Sequence, residues 1–202
     1  MILTTPSETR DWLDRLLAHP DAPSLMLWGP PAIGKSSLAA QAARRHGLSV
    51  IQLELAVLPP QELIGLPYVE AGRSRYALPP FWPETERGVL ILEDLPHAAP
   101  VVQAMGMSLI LEGRVGPHTL PEGWTVVGTG NRVRDGAGAF RMPTATASRM
   151  IHIEVNADVA NWRAWALGHS IHEDIIGLLG LRPELLHELS RDQPAWPSPR
   201  TW

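Results

Sequence analysis

The feature that most constrains this chain is a short glycine-rich motif that lies between a predicted strand and a predicted helix. Residues 24–28 (SLMLW) form an apolar run typical of a buried strand, and residues 36–47 predict a helix that ends at a glycine. A second short strand is predicted over residues 48–53. Strands joined through a helix usually pair in parallel, so this unit predicts an α/β fold built on a parallel sheet.

The motif, residues 29–36, has the pattern G-x-x-x-x-G-K-[ST], which is typical of loops that hold nucleotide phosphates. In such loops the backbone N–H groups and the N-terminus of the following helix point towards the phosphate oxygens. Lys35 is expected to reach the β- and γ-phosphates, and the Ser36 hydroxyl is expected to bind Mg²⁺. The residues expected to hold the nucleotide here are Gly29, Pro30, Pro31, Ala32, Ile33, Gly34, Lys35, Ser36 and Ser37.

The basic residues of the chain are distributed unevenly, since there are sixteen arginines and a single lysine, Lys35. All sixteen remaining residues of the Lys and Arg set are therefore arginines. At position 35 the broad, planar guanidinium of an arginine would not fit a cradle shaped for a compact ammonium group. The one lysine thus lies where a phosphate-binding loop requires it.

A pair of acids follows the most apolar predicted strand. Residues 88–92 (GVLIL) predict a central buried strand, and Glu93 and Asp94 come directly after it. Open α/β sheets bind ligands at the carboxyl ends of their strands. Glu93 is expected to orient the Mg²⁺ shell, partly through water, and Asp94 to polarise the attacking water. Alternatively, the two acids could simply cap the end of the strand.

Residues 88–131 resemble the MoxR-like branch of AAA+ ATPases over their full length. They contain an apolar strand with two acids, a helix with A-P-x-x-Q (residues 99–103), a predicted inserted hairpin (residues 112–123) and a strand that ends in Asn131. The resemblance implies a five-stranded parallel AAA+ core that hydrolyses ATP with Mg²⁺. The usual order of the acids, Asp then Glu, is reversed here. Asp94 is therefore one methylene shorter than the usual base, and we expect slow hydrolysis or a closer water.

The resemblance implies three further site residues. Asn131 is expected to be sensor 1, whose amide holds the attacking water or the γ-phosphate. Arg149 is expected to be an arginine finger that acts on the nucleotide of the adjacent subunit, with Arg134 and Arg141 as weaker candidates. Arg200, within P-R-[ST]-W, is expected to be sensor 2 and to reach the γ-phosphate in cis. Without the resemblance, Asn131 could equally be an ordinary turn residue. Arg149 could equally be an arginine that binds the carbonyl groups at a helix C-terminus.

The predicted strands end at residue 155, and only helical patterns follow. We therefore predict an AAA+ nucleotide-binding core over residues 1–155 and a helical lid over residues 156–202. The lid contains three predicted helical segments, at residues 158–168, 172–180 and 183–190. This lid is shorter than that of the family and is expected to be incomplete.

Composition and charge exclude several classes of function. The net charge is −4 and the sequence has no dense basic cluster, so direct binding of nucleic acid is not expected. The absence of cysteine excludes disulfides and cysteine-bound metals. No apolar run approaches the length of a membrane span, and the polar N-terminus does not resemble a secretory signal, so a cytoplasmic location is expected.

The resemblance also implies binding partners, and it leaves alternative functions open. It implies a ring homo-oligomer, most simply a hexamer, that remodels a protein client such as one with a von Willebrand factor A domain. A DNA- or RNA-associated motor or restriction-type NTPase is one alternative, and a nucleotide-gated structural ring with weak hydrolysis is another. A small-molecule kinase would need an acceptor pocket that the sequence does not indicate.

Two apolar features have open interpretations. Residues 58–66 (LPPQELIGL) resemble a family segment that often faces the ring pore, but their apolar side chains could equally belong to the core. The eight tryptophans lie mostly at apolar positions of predicted elements. Packing in the core or at an interface is therefore favoured over stacking on nucleic-acid bases.

Overall fold

A computed structural model describes residues 1–19, 23–132, 135, 142, 144–189 and 195–202 of the chain. The strands, in chain order, are β1 (Ile2–Thr4), β2 (Leu25–Trp28), β3 (Ser49–Glu54), β4 (Pro67–Glu70), β5 (Arg73–Tyr76), β6 (Gly88–Glu93), β7 (Arg114–Val115), β8 (His118–Thr119), β9 (Trp124–Gly130) and β10 (Ile151–Val155).

The helices lie between several of these strands and after β10. They are α1 (Pro6–Leu17), α2 (Lys35–Arg45), α3 (Pro60–Ile64), α4 (Pro100–Glu112), α5 (Thr144–Ala147), α6 (Val159–Ala166) and α7 (Glu173–Leu181), with 3-10 turns at Leu95–His97 and Pro183–Leu186.

The main sheet of the described residues has six strands in the order β1-β10-β2-β9-β6-β3, and every neighbouring pair is parallel. The predicted α/β class and parallel sheet are therefore confirmed, but the predicted number of five strands is wrong. The additional strand is β1, which pairs with Ile153–Val155 at the edge of the sheet. Its three residues are too short to show a hydrophobic period in the sequence.

Helices cover both faces of this sheet. Successive side chains of a strand point to opposite faces. In β6, Val89 and Ile91 belong to a buried cluster with residues of α1 and α2, whereas Leu90 and Leu92 belong to a cluster with residues of α4. Burial on both sides explains why this strand is apolar at consecutive positions.

The N-terminal helix α1 begins at a capped threonine, Thr5. The Thr5 side chain accepts a hydrogen bond from the Glu8 N–H, and the Glu8 carboxylate accepts one from the Thr5 N–H at 2.7 Å. This capping box satisfies two N–H groups that would otherwise lack partners. Leu13 and Leu17 bury the inner face of the helix against the sheet and α2.

The segment over residues 58–66 contributes mainly to the core. Leu63 is fully buried in α3, and Leu58 packs against the cluster around α4. Leu66, in contrast, is 65% exposed just before the hairpin β4–β5. The core interpretation therefore holds for the first part of the segment.

The helical segments after β10 bury a small cluster of their own, which contains Trp162, Ile176 and Leu179. The first two predicted helices of this region are present as α6 and α7. The third is wrong beyond Leu186, since it is only a 3-10 turn and His187 is extended with φ −151°. The His187 ring contacts the carbonyl oxygen of Pro31, with Nε2 at 3.2 Å.

Across the described ranges, no helix combines the length and the apolar character that crossing a membrane requires.

Candidate nucleotide-binding site

The glycine-rich motif forms a loop between the carboxyl end of β2 and the first turn of α2. Gly34 caps α2 in the left-handed region, with φ 88° and ψ 23°, which favours glycine. A Cβ atom at Gly29 would lie 2.4 Å from the carbonyl oxygen of Val155, so a side chain cannot be accommodated there. Ala32 also has a positive φ, 61°, which is unusual for a residue with a side chain. These positions give the loop its tight turn at the end of the sheet.

Lys35, at the start of α2, turns its amine back into this loop. The residue is 7% exposed, and Nζ donates hydrogen bonds to the carbonyl oxygens of Gly29 at 3.1 Å and Pro30 at 2.9 Å. A third bond goes to Oδ1 of Asn131 at 2.9 Å. Asn131 directly follows β9, the neighbour of β2 in the sheet. The structure thus brings together two predicted site residues that are 96 positions apart.

Burial lowers the pKa of the Lys35 ammonium to about 8, although the nearby carboxylates of Asp94 and Asp135 act in the opposite direction. The ammonium is therefore less stable here than in water. An anion that entered the loop would stabilise the charged form and raise this pKa again.

The first acid of the predicted pair lies beside the first turn of α2. The Ser36 hydroxyl donates to Oε2 of Glu93 at 2.7 Å, and Nε2 of Gln52 donates to Oε1 of the same carboxylate at 3.0 Å. A hydroxyl and a carboxylate are oxygen ligands of the kind that Mg²⁺ takes, so the residues present fit this ion. Gln52, on β3, was not singled out from the sequence, and its polar side chain within an apolar strand was the available signal.

The second acid, Asp94, occupies a sharp turn. Its backbone is left-handed, with φ 51° and ψ 36°, and it begins the 3-10 turn Leu95–His97. Its N–H donates to Oγ1 of Thr129 at 3.4 Å. The carboxyl group is 39% exposed. The reversed acids therefore differ in surroundings as well as in length: Glu93 is held by two hydrogen bonds, whereas the Asp94 side chain is 39% exposed.

A cavity of about 330 Å³ adjoins the glycine-rich loop. It lies between α1, α2, α6 and the C-terminal turn, so widely separated parts of the chain form its walls. Asn161 joins two of these walls, because its Oδ1 accepts a hydrogen bond from the Ser7 N–H at 2.7 Å. The lining residues outside the motif are Pro6, Ser7, Arg10, Ser37, Leu38, Gln41, Ala157, Asp158, Asn161, Trp162, Trp165, Pro199 and Arg200.

Most of these wall residues were not predicted as site residues. Trp162 and Trp165 lie three positions apart on α6, and both line the cavity, although tryptophans were assigned to packing. Trp162 serves both purposes, since it is 6% exposed and belongs to the cluster of the helical segment. Trp165 is 39% exposed and stacks on the His169 ring with centroids 4.3 Å apart.

Arg200 lies at the cavity, on a turn that is held firmly despite its closeness to the C-terminus. Nε1 of Trp202 donates to the carbonyl oxygen of Leu185 at 2.9 Å, and Ser198 N–H donates to Oγ1 of Thr201 at 2.9 Å. Arg200 also lies close enough to Lys35 to disfavour the charged form of that amine. The C-terminal turn therefore places the predicted sensor 2 residue beside the glycine-rich loop.

Arg149 lies at the other end of the sheet. It is an exposed residue between α5 and the amino end of β10, whereas the glycine-rich loop contacts Val155 at the carboxyl end of that strand. The five residues of β10 span roughly 16 Å at about 3.3 Å each. Arg149 thus lies far from the glycine-rich loop of its own chain. Arg134 and Arg141 lie outside the described residues.

Arg132, directly after Asn131, takes part in an ion-pair network that the sequence did not indicate. Arg132 Nη2 lies 2.7 Å from Oδ1 of Asp135, and its Nη1 lies 2.7 Å from Oε1 of Glu154. The hydrogen bond to Asp135 is the main cause that raises the pKa of Arg132. The network holds the backbone next to Asn131 against β10.

The buried lysine leads to a prediction about stability and pH. Between about pH 8 and 10.5 the unfolded chain binds the Lys35 proton and the folded chain largely does not. The free energy of unfolding should therefore rise with pH in this window, by up to roughly 1.4 kcal/mol per pH unit. Urea unfolding at half-unit pH intervals measures this slope.

Lys35→Met is the matched control, because it keeps the length of the side chain and removes the titrating group. Few other groups titrate in this window, since the sequence has no cysteine, no second lysine and two tyrosines. The slope should be absent in the variant. An equal slope in both proteins would contradict the assignment of a depressed pKa to Lys35.

The sequence matches no protein-family model and no curated protein. Its structure is nevertheless similar to solved structures. NtrX from Brucella abortus is 15% identical with a TM-score of 0.53, covering 86% of this chain and 45% of NtrX. NtrX has also been solved in complex with ADP and with ATP. The RuvB Holliday junction branch migration motor of Thermotoga maritima is 20% identical with a TM-score of 0.54, covering 78% of this chain and 48% of RuvB.

The chain therefore spans about half the length of these solved structures. Identities of 15% and 20% show a shared fold. This fold is the α/β P-loop fold of AAA+ ATPases, here with six parallel strands in the main sheet of the described residues.

Proposed function

We propose that this chain is a Mg²⁺-dependent ATPase of the AAA+ type. The observation that carries the proposal is the convergence of Lys35 and Asn131, and of Ser36 and Glu93, on one glycine-rich loop at the carboxyl edge of the sheet. The ADP and ATP complexes of NtrX, which has the same fold, support a nucleotide as the ligand.

The triphosphate would enter where the Lys35 amine now binds two carbonyl oxygens. Lys35 would exchange these neutral acceptors for anionic phosphate oxygens, which form stronger hydrogen bonds with an ammonium. The exchange would also release the amide of Asn131, which could then hold the attacking water or the γ-phosphate. The N-terminus of α2 adds backbone N–H groups.

Hydrolysis would use Asp94 as the base. The water oxygen attacks the γ-phosphorus, the bond from that phosphorus to the β–γ bridging oxygen breaks, and Asp94 accepts the water proton, leaving ADP and phosphate. When bound, Mg²⁺ supplies positive charge that neutralises the phosphate oxygens. Ser36 and Glu93 are the residues that would hold it.

The cavity fits the nucleoside part of ATP. Its volume of about 330 Å³ lies within the usual range for small-molecule sites. The Trp162 and Trp165 rings offer apolar surface for a base, and Arg10 and Arg200 offer positive charge. Residues 156–202 would then act as the lid over a core of residues 1–155, in agreement with the separate hydrophobic cluster of α6 and α7.

A ring would complete this site. Arg149 is exposed and far from the loop of its own chain, a placement that suits an arginine finger for the adjacent subunit. Such a ring, most simply a hexamer, would remodel a protein client, as in MoxR-like ATPases that work with von Willebrand factor A domain proteins. The hairpin β4–β5 is exposed at all eight residues, including Tyr68 and Val69, and could contact such a client.

A nucleotide-gated ring with weak hydrolysis is a second candidate, favoured by the short, solvent-open carboxylate of Asp94. A DNA motor has less support. The likeness to RuvB shows the fold, and the net charge of −4 does not favour contact with a polyanion.

The phosphate assignment is tested with two variants of the full chain. Lys35→Ala should lower ATP affinity at least a hundredfold, because it removes the only cation inside the loop. Asp94→Asn should bind ATP within threefold of the unmodified chain but release phosphate at least a hundredfold more slowly. Calorimetry measures affinity, and phosphate release measures turnover. Tight binding by Lys35→Ala would contradict the proposed site.

The arginine finger is tested by mixing subunits. Arg149→Ala should bind ATP normally and turn over at least tenfold more slowly, as should Asp94→Asn. A mixture of the two inactive variants should regain activity, because some interfaces combine an intact Asp94 with an intact Arg149. If the mixture is no more active than either variant alone, Arg149 does not act in trans.

A further inference from the structure

His97 has no role in the site described so far, but its surroundings are unusual. It ends the 3-10 turn that follows Asp94, and both of its ring nitrogens are buried. Among the residues that the structure describes, neither nitrogen has a hydrogen-bond partner. A neutral imidazole carries one N–H donor and one acceptor, and a buried donor without a partner destabilises the folded chain. The carboxylate of Asp94 lies just beyond bonding distance, with Nδ1 and Oδ1 3.7 Å apart.

The backbone fixes these two residues relative to each other. The His97 N–H donates to the carbonyl oxygen of Asp94 at 2.8 Å, and the Asp94 N–H donates to Thr129 at 3.4 Å. The left-handed conformation of Asp94 makes this turn tight. The freedom that remains is rotation of the two side chains, and the separation has to shrink by only about 1 Å to give a hydrogen bond.

The Asp94 carboxylate needs such a partner if it is to act as a base. It is 39% exposed, and none of the described residues forms a hydrogen bond to its oxygens. A carboxylate that rotates freely presents its lone pairs in many directions, and misplacement by about 1 Å can cost a hundredfold in rate. Glu93, by contrast, is held through both oxygens by Ser36 and Gln52.

We propose that His97 is a positioning residue for Asp94. The Nδ1–H group donates to Oδ1 and holds the carboxylate so that Oδ2 faces the attacking water. This arrangement gives the buried donor a partner and leaves Nε2 as an unpaired acceptor, which proteins tolerate more often than an unpaired donor. The inference rests on the proposed ATPase function, because it assigns His97 a part in that reaction.

Two substitutions separate positioning from packing. His97→Asn keeps a donor near the place of Nδ1, whereas His97→Leu fills a similar volume without a donor. Turnover per site (kcat) should fall about tenfold to a hundredfold in His97→Leu and less than threefold in His97→Asn. The ATP dissociation constant should stay within twofold in both. Equal losses in the two variants would overturn the proposal.

The effect should also depend on Asp94. In an Asp94→Asn background, His97→Leu should cause no further loss of turnover, because the carboxylate that it positions is already gone. A further tenfold loss in that background would mean that His97 acts on another group, and the proposal would fail.

A spectroscopic measurement detects the proposed hydrogen bond between His97 and Asp94 in the absence of nucleotide. In the full chain labelled with ¹⁵N-histidine, the His97 signals should show the proton on Nδ1, and Asp94→Asn should shift them. The signals are assigned by their loss in His97→Asn, which also serves if His97→Leu does not fold. A proton on Nε2, or no shift with Asp94→Asn, would overturn the proposal.

The two proposals fail in different ways. If the unmodified chain binds ATP but releases no phosphate, the ATPase function is wrong and the positioning role is wrong with it. If the chain hydrolyses ATP and His97 shows no bond to Asp94, only the positioning role is wrong.

Discussion

The structure depends on one buried charge. The Lys35 ammonium lies inside the glycine-rich loop, where the carbonyl oxygens of Gly29 and Pro30 and the amide of Asn131 replace water. These neutral acceptors compensate only part of the lost hydration, which is why the pKa of the amine falls to about 8. An anion that replaced these neutral acceptors would interact more strongly with the ammonium. The sheet serves to hold the three acceptors in place.

The parallel sheet achieves this by bringing strand ends to one edge. The loop follows β2, Asn131 follows β9, and the two acids lie at the end of β6. The same arrangement puts Arg149 at the opposite end of β10. The same parallel strands therefore gather the loop, Asn131 and the two acids at one edge of the sheet, away from Arg149.

The sequence predicted those parts of the site that depend on local pattern. The loop and the apolar strand before Glu93 follow from short motifs at strand ends, whereas Asn131 was indicated only by the family resemblance. The strand β1 was missed because its three residues are too few to show a hydrophobic periodicity. Only its pairing with β10 shows that it is a strand. The cavity walls were missed because α1, α6 and the C-terminal turn meet only in the folded chain. The left-handed turn at Asp94 was likewise not visible, since aspartate adopts other conformations more readily.

A crystal structure of the chain with Mg²⁺ and a non-hydrolysable ATP analogue is the most direct test of this account. The account predicts that Lys35 Nζ leaves the carbonyl oxygens of Gly29 and Pro30 for phosphate oxygens, that the ion lies against Ser36 and Glu93, and that the base lies in the cavity beside α6. A triphosphate bound elsewhere, or a Lys35 amine that keeps its present hydrogen bonds in the complex, would contradict it.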